Sequence, residues 1–155
     1  MTIQHYKVAV IGAGPAGLSA AITAAKAGLT TLLIDDQPAI GGQVYRNLAH
    51  NKDAAPAYLG SGYFAGTRLL ATFSHFEGVY WPQTTVWQIT NDRQIAITRN
   101  GSAALVNADH IVIATGAIER AMPVSGWTLP GVMTVGGAQT LLKQAAVGAE
   151  HAVFV

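Results

Sequence analysis

Two short apolar runs in the first part of the chain are separated by a glycine-rich turn and an alanine-rich segment. The first segment, His5–Ile11, ends in a continuous apolar run and predicts a strand buried on both faces. Leu18–Ala27 is rich in alanine and predicts a helix, and Thr30–Asp35 contains a second apolar run that predicts a strand. The order of strand, helix and strand predicts an α/β fold, in which helices flank a parallel sheet.

The pattern changes after residue 60. Ser61–Phe76 carries apolar residues at helical spacing and predicts one helix. Short apolar runs then predict strands at Val79–Trp81, Thr84–Thr90, Gln94–Arg99, Ala103–Val106 and His110–Ala114, the last of them buried. Turn signals at Asn91-Asp92 and Asn100-Gly101 predict a small antiparallel β-meander between residues 79 and 106. A final helix is predicted over Gly137–Val147, and loops are predicted over Gln37–His50, Asn51–Gly60 and Met122–Met133.

A glycine-rich turn joins the first strand to the first helix, with the spacing Gly12-x-Gly14-x-x-Gly17. In a dinucleotide-binding βαβ unit, Gly12 permits the tight turn, Gly14 lets the backbone approach a pyrophosphate, and Gly17 lets the helix pack close to the strand. Pro15 suits the first helical turn, where a backbone N–H would have no partner. The turn therefore predicts a Rossmann-like site in which the helix N-terminus faces phosphate groups.

An acidic residue follows the second strand at the position that such a site requires. Asp35 lies 23 residues after Gly12, close to the spacing of the carboxylate that binds a ribose hydroxyl. A carboxylate here also disfavours a ribose 2′-phosphate, because the two groups have like charges. The alternative is a glycine-rich turn in another kind of α/β protein, with Asp35 as a solvated strand end.

Composition excludes several classes of function. The chain has 155 residues, 50% hydrophobic and 11% charged, with a net charge of +1 and no cluster of lysine or arginine. Neither a nucleic acid nor a membrane surface is expected as a partner, and the apolar runs are too short to span a bilayer. Cysteine is absent and the histidines are scattered, so no disulfide and no metal site are expected. A cytoplasmic location is the default expectation.

Five segments carry a resemblance to a known superfamily. They are VIGAGPAGLSAA at 10–21, GGQVYR at 41–46, TTVWQI at 84–89, IVIATGAIER at 111–120 and GWTLPGVMTVGGAQTLLK at 126–143. The sequence resembles the flavoproteins with two dinucleotide-binding domains, which include thioredoxin-reductase-like pyridine nucleotide oxidoreductases. GGQVYR and GWTLPGVMT are similar to a narrower group, the FAD subunits of opine, D-hydroxyproline and amine dehydrogenases and of hydrogen cyanide synthase.

This resemblance implies FAD as the cofactor and a set of cofactor-binding residues. Gly12, Gly14, Pro15, Ala16 and Gly17 would hold the pyrophosphate, and Asp35 would bind the adenosine ribose with Asp36 beside it. Gly42 and Gln43 would lie along the ribityl and pyrophosphate region, and Val86 would meet the adenine through its backbone. Ala114, Thr115 and Gly116 match the second flavin signature, where a strand ends against the cofactor. The catalytic residue is unknown, because no general base is visible.

The resemblance also implies a reaction and partners. Such a subunit oxidises a C–N bond of a small-molecule substrate (an opine, an imino acid or an amine) and works with other subunits that carry flavin and iron–sulfur groups. Two alternatives stay open. The same turn occurs in NAD-binding dehydrogenase domains, and a non-catalytic truncated fragment would bind adenine nucleotides at most.

Two domains are expected by the same resemblance. Residues 1–147 correspond to the N-terminal part of an FAD-binding domain, and residues 148–155 look like the start of a truncated second dinucleotide-binding domain. We therefore expect weak retention of flavin and an exposed apolar edge at Ala152–Val155. In GGQVYR, Gln43 and Arg46 are candidates to touch flavin or substrate.

Overall fold

The computed structural model describes residues 3–51 and 59–154. Most of the predicted loop Asn51–Gly60 lies outside the described residues, as does Val155 at the end of the last apolar run. The fold is α/β, as the sequence predicts. None of the helices in the described part has the length and apolar character needed to cross a bilayer.

One six-stranded mixed sheet forms the centre of the fold, in the order β3-β2-β1-β6-β5-β4. The strands are β1 (Gln4–Ile11), β2 (Thr31–Ile34), β3 (Val79–Trp81), β4 (Thr84–Ile89), β5 (Gln94–Arg99) and β6 (Ser102–Ile113). Strands β3, β2, β1 and β6 run parallel, whereas β6, β5 and β4 form the antiparallel meander. The predicted combination of a parallel sheet and a meander is therefore confirmed.

The described residues form five helices beside the sheet, and two of these helices cover one of its faces. They are α1 (Pro15–Lys26), α2 (Leu48–Asn51), α3 (Gly60–Phe64), α4 (Gly66–Phe73) and α5 (Val135–Ala145). On the covered face, Leu18 of α1 and Val10 of β1 belong to one buried cluster, and Leu69 and Phe73 of α4 pack against this cluster. This layer of helix on sheet buries the apolar side of α1.

The meander covers the opposite face, because the sheet curls. Ile95 and Ile97 of β5 pack in one buried cluster with Ala9, Leu32 and Ile34 of the parallel strands. The curl brings the start of β4 close to the end of β2, although several strands separate the two in the sheet order. The antiparallel strands thus replace the second helical layer that a doubly wound sheet would use.

The predicted helix Ser61–Phe76 is wrong in its continuity and its end. The structure has two short helices that meet at Ala65, and the second ends at Phe73. Ala65 between them keeps right-handed helical dihedrals, and the ring of Tyr45 lies against the backbone of Gly66, where a Cβ atom would be within 2.7 Å of ring atoms. The short helix α2 is also absent from the sequence-based prediction, which has a loop there; it buries Leu48.

The prediction of separate strands at Ala103–Val106 and His110–Ala114 is also wrong. Both belong to β6, which pairs with β5 through its first half and with β1 through its second half. The polar residues between the two runs are partnered across strands: the Asp109 carboxylate accepts from Lys7 Nζ at 2.7 Å and lies 2.9 Å from His5 Nε2. The sequence predicts a break because these partners come from another strand.

Two other sequence expectations need correction. Strand β3 pairs in parallel with β2, so it belongs to the parallel sheet and the meander begins at β4. The predicted burial of the first and last strands holds only in part: β1 is buried from Val8 onward, and Ile113 at the end of β6 is 68% exposed. Residues 152–154 are not in a strand, since no described strand pairs with them, and Phe154 is 79% exposed.

Candidate cofactor-binding site

Three loops meet at one edge of the sheet, where the parallel strands β1, β2 and β6 end. Ile11 is paired in register with Ile34 on one side and with Ile113 on the other. Backbone bonds continue beyond these pairs: Gly12 N–H donates to the Ile34 carbonyl at 2.7 Å, and Ala114 N–H donates to the Ile11 carbonyl at 2.8 Å. Because β1 leads to β2 on one side and has β6 on the other, this edge is a topological switch point, where α/β proteins bind ligands.

At two positions of the turn, the fold has no space for any side chain and requires glycine. Gly12 has φ +105°, and a Cβ atom there would overlap the carbonyl oxygen of Ala114. A Cβ atom on Gly17 would overlap the carbonyl oxygen of Gly12, so this glycine allows α1 to pack directly against the turn. The roles that the sequence predicts for Gly12 and Gly17, a tight turn and close packing, are visible in the structure.

Gly14 differs from its neighbours because the protein leaves space for a side chain there. Its φ is −72°, which any residue adopts, and the nearest atom to a built Cβ is the Gly42 Cα at 3.9 Å. Gly14 is also the N-cap of α1; Pro15 and Ala16 follow it, and no side chain caps the helix. Backbone N–H groups of a first helical turn lack acceptors within the helix. The open space at Gly14 therefore fits a pyrophosphate, which would use these donors and the positive end of the helix dipole.

The Asp35 carboxylate supports the glycine turn, and the sequence did not reveal this role of Asp35. Its side chain is only 8% exposed. One carboxylate oxygen accepts from the N–H of Ala13, within the turn, and the other accepts from Gln37 N–H at 2.7 Å. Asp36 is exposed and accepts from Gln37 Nε2 at 3.0 Å. Each Asp35 oxygen keeps a second lone pair for a ribose hydroxyl, so the carboxylate is suited to order the turn and to bind the sugar.

Burial raises the pKa of Asp35 above its ordinary value of 3.8, and the nearby Asp36 contributes to the increase. The folded chain therefore holds this proton more strongly than the unfolded chain does. The stability contributed by the proton is present at acid pH and is lost as the pH rises through the raised pKa.

Asp35→Asn is expected to remove this dependence on pH, since asparagine does not titrate. Relative to the variant, the wild-type chain should lose stability as the pH rises above the ordinary carboxyl pKa of 3.8 and Asp35 loses its proton, with a slope of at most about 1.4 kcal/mol per pH unit, the limit for one proton. Urea unfolding of both proteins as a function of pH measures the difference. A difference that stays constant would contradict the assignment of a raised pKa to Asp35.

The loop that carries Gly42 and Gln43 lies directly beside the glycine turn. Gly41 N–H donates to the carbonyl of Ala13 at 2.8 Å, and a Cβ atom on Gly42 would be 2.8 Å from the Gly14 Cα. Gln43 is exposed, and its side-chain oxygen accepts from Arg46 Nη2 at 3.0 Å. The sequence placed Gly42 and Gln43 at the same site as the turn, and the fold brings them there.

The curled sheet brings the start of β4 to the same edge. Thr84 N–H donates to the carbonyl of Asp35 at 2.9 Å, and Gln83 N–H donates to the carbonyl of Gln37 at 3.2 Å. Val86 follows two residues later on an outer strand, with its side chain packed against the core and a register shift before Gln88. Its position next to the ribose side of the site is compatible with an adenine contact through the backbone.

The segment after β6 completes this edge. Ala114 lies against Gly12 and Gly17, whereas Thr115 and Gly116 are exposed and Gly116 has φ +74°.

Adjacent opposite charges in the sequence predict a local pair between Glu119 and Arg120. Instead, a Glu119 side-chain oxygen accepts from Gly136 N–H at 2.7 Å, at the start of α5, because a carboxylate satisfies free donors at a helix N-terminus.

Among the described residues, no three histidine, aspartate or glutamate side chains come together in a way that could hold a metal ion. The buried ionisable groups offer no obvious general base. Burial raises the pKa of Tyr80 to about 12, with a smaller contribution from Asp35, so this phenol stays neutral. The open space at Gly14, the N-terminus of α1 without a side-chain cap and the Asp35 carboxylate make the sheet edge suited to bind a dinucleotide.

Residues 6–154 match the family described as pyridine nucleotide-disulphide oxidoreductase. The chain belongs to this family. It is 43% identical over 150 residues to an opine oxidase subunit of Rhizobium meliloti and covers 28% of that protein. It is 37% identical over 151 residues to the HcnB subunit of hydrogen cyanide synthase from Pseudomonas aeruginosa and covers 32% of it. These alignments include 92% and 93% of the present chain, which thus spans less than a third of each relative.

Solved structures of oxidoreductases share the fold. L-proline dehydrogenase from P. horikoshii superposes on 96% of this chain with a TM-score of 0.72 and 21% identity, and the match covers 30% of that protein. Thioredoxin reductase from Streptococcus pyogenes covers 79% of this chain with a TM-score of 0.52 and 28% identity, over 39% of its own length. The family predicted from the motifs is therefore confirmed, and membership in it supports FAD as the cofactor.

Proposed function

We propose that this chain is the FAD-binding portion of a flavoprotein subunit in a multi-subunit oxidoreductase that oxidises a C–N bond of an opine, an imino acid or an amine. The names of the relatives support the proposal, since the matched proteins of opine oxidase, hydrogen cyanide synthase and sarcosine oxidase are each one subunit of an enzyme. We also propose that partner subunits with flavin and iron–sulfur groups pass the electrons onward.

The open space at Gly14 is the observation that carries the cofactor part of this proposal. The turn would hold the pyrophosphate through Gly12, Gly14, Pro15, Ala16 and Gly17. Asp35, with Asp36 beside it, would bind the ribose, and Val86 would face the adenine. Gly42 and Gln43 would contact the pyrophosphate and the ribityl chain, and Ala114, Thr115 and Gly116 would face the flavin side. When bound, FAD supplies the two-electron chemistry, while these residues bind and orient it.

Titration of the chain with FAD, ADP and NAD, followed by flavin fluorescence and by calorimetry, tests the choice of cofactor. We expect FAD to bind at least about tenfold more tightly than NAD, a free-energy difference of about 1.4 kcal/mol. ADP should also bind, because the glycine turn, Asp35 and Val86 would surround the ADP half of FAD. Equal or tighter binding of NAD would overturn the proposal in favour of an NAD-dependent dehydrogenase domain.

The substrate class is tested in the flavin-loaded protein under anaerobic conditions. Addition of an opine, a cyclic imino acid or a secondary amine should bleach the flavin absorbance, while a hydroxy acid of similar size should not. Bleaching by the hydroxy acid alone would contradict oxidation of a C–N bond.

A further inference from the structure

Lys143 in the last turn of α5 binds the loop that carries Gly42 and Gln43, about one hundred residues earlier in the chain. Its ammonium group donates to the backbone carbonyls of Gln43 at 3.0 Å and Val44 at 3.1 Å, and to the side chain of Gln139 at 3.4 Å. Three donors thus meet three acceptors, so the ammonium group is satisfied without a carboxylate.

The backbone of the same lysine is also bound. Its carbonyl accepts from Asn51 Nδ2 at 2.8 Å and from Asn47 Nδ2 at 3.2 Å. Tyr63 extends this network, because its hydroxyl donates to the carbonyl of Arg46 at 2.7 Å and accepts from Asn51 at 3.0 Å. Both the ammonium group and the backbone carbonyl of Lys143 are therefore hydrogen-bonded. The ammonium group joins α5 to the backbone carbonyls of the loop.

Electrostatics makes this position costly for a cation. Burial lowers the pKa of Lys143 below its ordinary value, and the positive charge of Arg46 lowers it further. Hydrogen bonds that involve a charged group are stronger than neutral ones. The two loop carbonyls offset the cost, and they fix the backbone of Gln43 and Val44 relative to α5.

The other side of this loop contacts the glycine turn. Gly41 donates a backbone hydrogen bond to Ala13, and Gly42 packs closely against Gly14. We propose that Lys143 is a positioning residue for the cofactor: it clamps residues 41–46 between α5 and the glycine turn, so that Gln43 reaches the part of FAD beyond its ADP half. This inference rests on the proposed function, and its test separates the two.

Lys143→Met is the main variant, because methionine keeps the length of the side chain and favours helices. We expect its Kd for FAD to rise about tenfold, as for loss of one charged hydrogen bond, while its Kd for ADP changes less than about twofold. Lys26→Met is the matched control, since Lys26 is an exposed lysine in the last turn of α1, away from the loop. Lys143→Arg, which keeps the charge and the donors, should restore most of the affinity for FAD.

Trypsin provides a second readout that needs no cofactor, because Arg46 lies in the loop. Without FAD, Lys143→Met should be cleaved after Arg46 at least about fivefold faster than the wild type, and Lys26→Met should not. This fivefold change corresponds to about 1 kcal/mol in the opening equilibrium of the loop. Thermal unfolding of each variant shows whether the protein is folded; if Lys143→Met is unfolded, Lys143→Gln takes its place in both measurements.

Asn51→Ala separates the clamp from the docking of α5, since it removes one of the two bonds to the Lys143 carbonyl but leaves the ammonium contacts. We expect its ratio of FAD to ADP affinity to match the wild type. The clamp would be overturned if Lys143→Met lost FAD and ADP affinity equally, or if its cleavage after Arg46 were unchanged. It would also be overturned if Lys143→Met and Asn51→Ala had the same ratio of FAD to ADP affinity. Failure of the wild type to bind FAD would instead overturn the proposed function, while the trypsin result would still report on the clamp.

Discussion

Gly14→Ala is expected to leave the protein folded and to weaken FAD binding about 10- to 100-fold. The protein has room for the added methyl group, because its nearest neighbour would be 3.9 Å away, at Gly42. The methyl group would instead occupy the space in front of α1 where we place the pyrophosphate. Forcing a group into a filled site costs about 1–3 kcal/mol, which corresponds to this loss of affinity.

Titration of the variant with FAD measures the loss, and urea unfolding without ligand checks the fold. Gly62→Ala is the matched control: Gly62 lies in α3, has no atom within 4 Å of a built Cβ and has an ordinary φ. The control should bind FAD like the wild type. Unchanged FAD binding in Gly14→Ala would contradict the placement of the pyrophosphate at this residue.

Gly17→Ala is expected to damage the fold itself, with a loss of about 3 kcal/mol in the free energy of unfolding. Its Cβ atom would overlap the carbonyl oxygen of Gly12, so α1 would have to move away from the turn. Overpacking a tight contact costs about 1–3 kcal/mol, and a clash with backbone lies at the upper end because the backbone cannot rotate away. FAD affinity should fall as a consequence of this movement.

Urea unfolding without ligand measures this effect, and the two alanine variants of the turn act as controls for each other. Gly14→Ala should lose less than about 1 kcal/mol of stability, whereas Gly17→Ala should lose several times more. If both variants unfold at the urea concentration of the wild type, the close packing of α1 on the turn is not as described.

Local sequence patterns are sufficient for the parts of the fold that depend on neighbours in the chain. They predict the strand Val79–Trp81 with its observed ends, and likewise the strand Gln94–Arg99. The glycine spacing predicts the order of strand, turn and helix, because the tight turn and the start of the helix are local features of the backbone, although the atoms that Gly12 meets belong to the distant Ala114. The shared motifs also identify the family, which the similarity to known proteins confirms. The roles of the site residues in binding FAD stay predictions.

Patterns fail where a residue's partner is distant in the sequence. Asp109 is typical of a break between two strands, but Lys7 and His5 of β1 bind it, and the strand continues. Gly66 is compatible with a continuous helix, yet the ring of Tyr45 lies against it. Neither contact leaves a periodic signal, since the partner lies on another element.

By itself, the sequence determined the class of fold and the glycine-rich turn, because apolar periodicity and glycine spacing are local properties that the backbone must follow, and its motifs identified the family by resemblance. Tertiary structure alone decided which residues support the site. It placed Asp35 against Ala13, brought β4 beside Asp35 by curling the sheet, and joined Lys143 to Gln43. These contacts arise when buried polar groups find partners as the chain folds back on itself, and the partner is chosen by three-dimensional proximity.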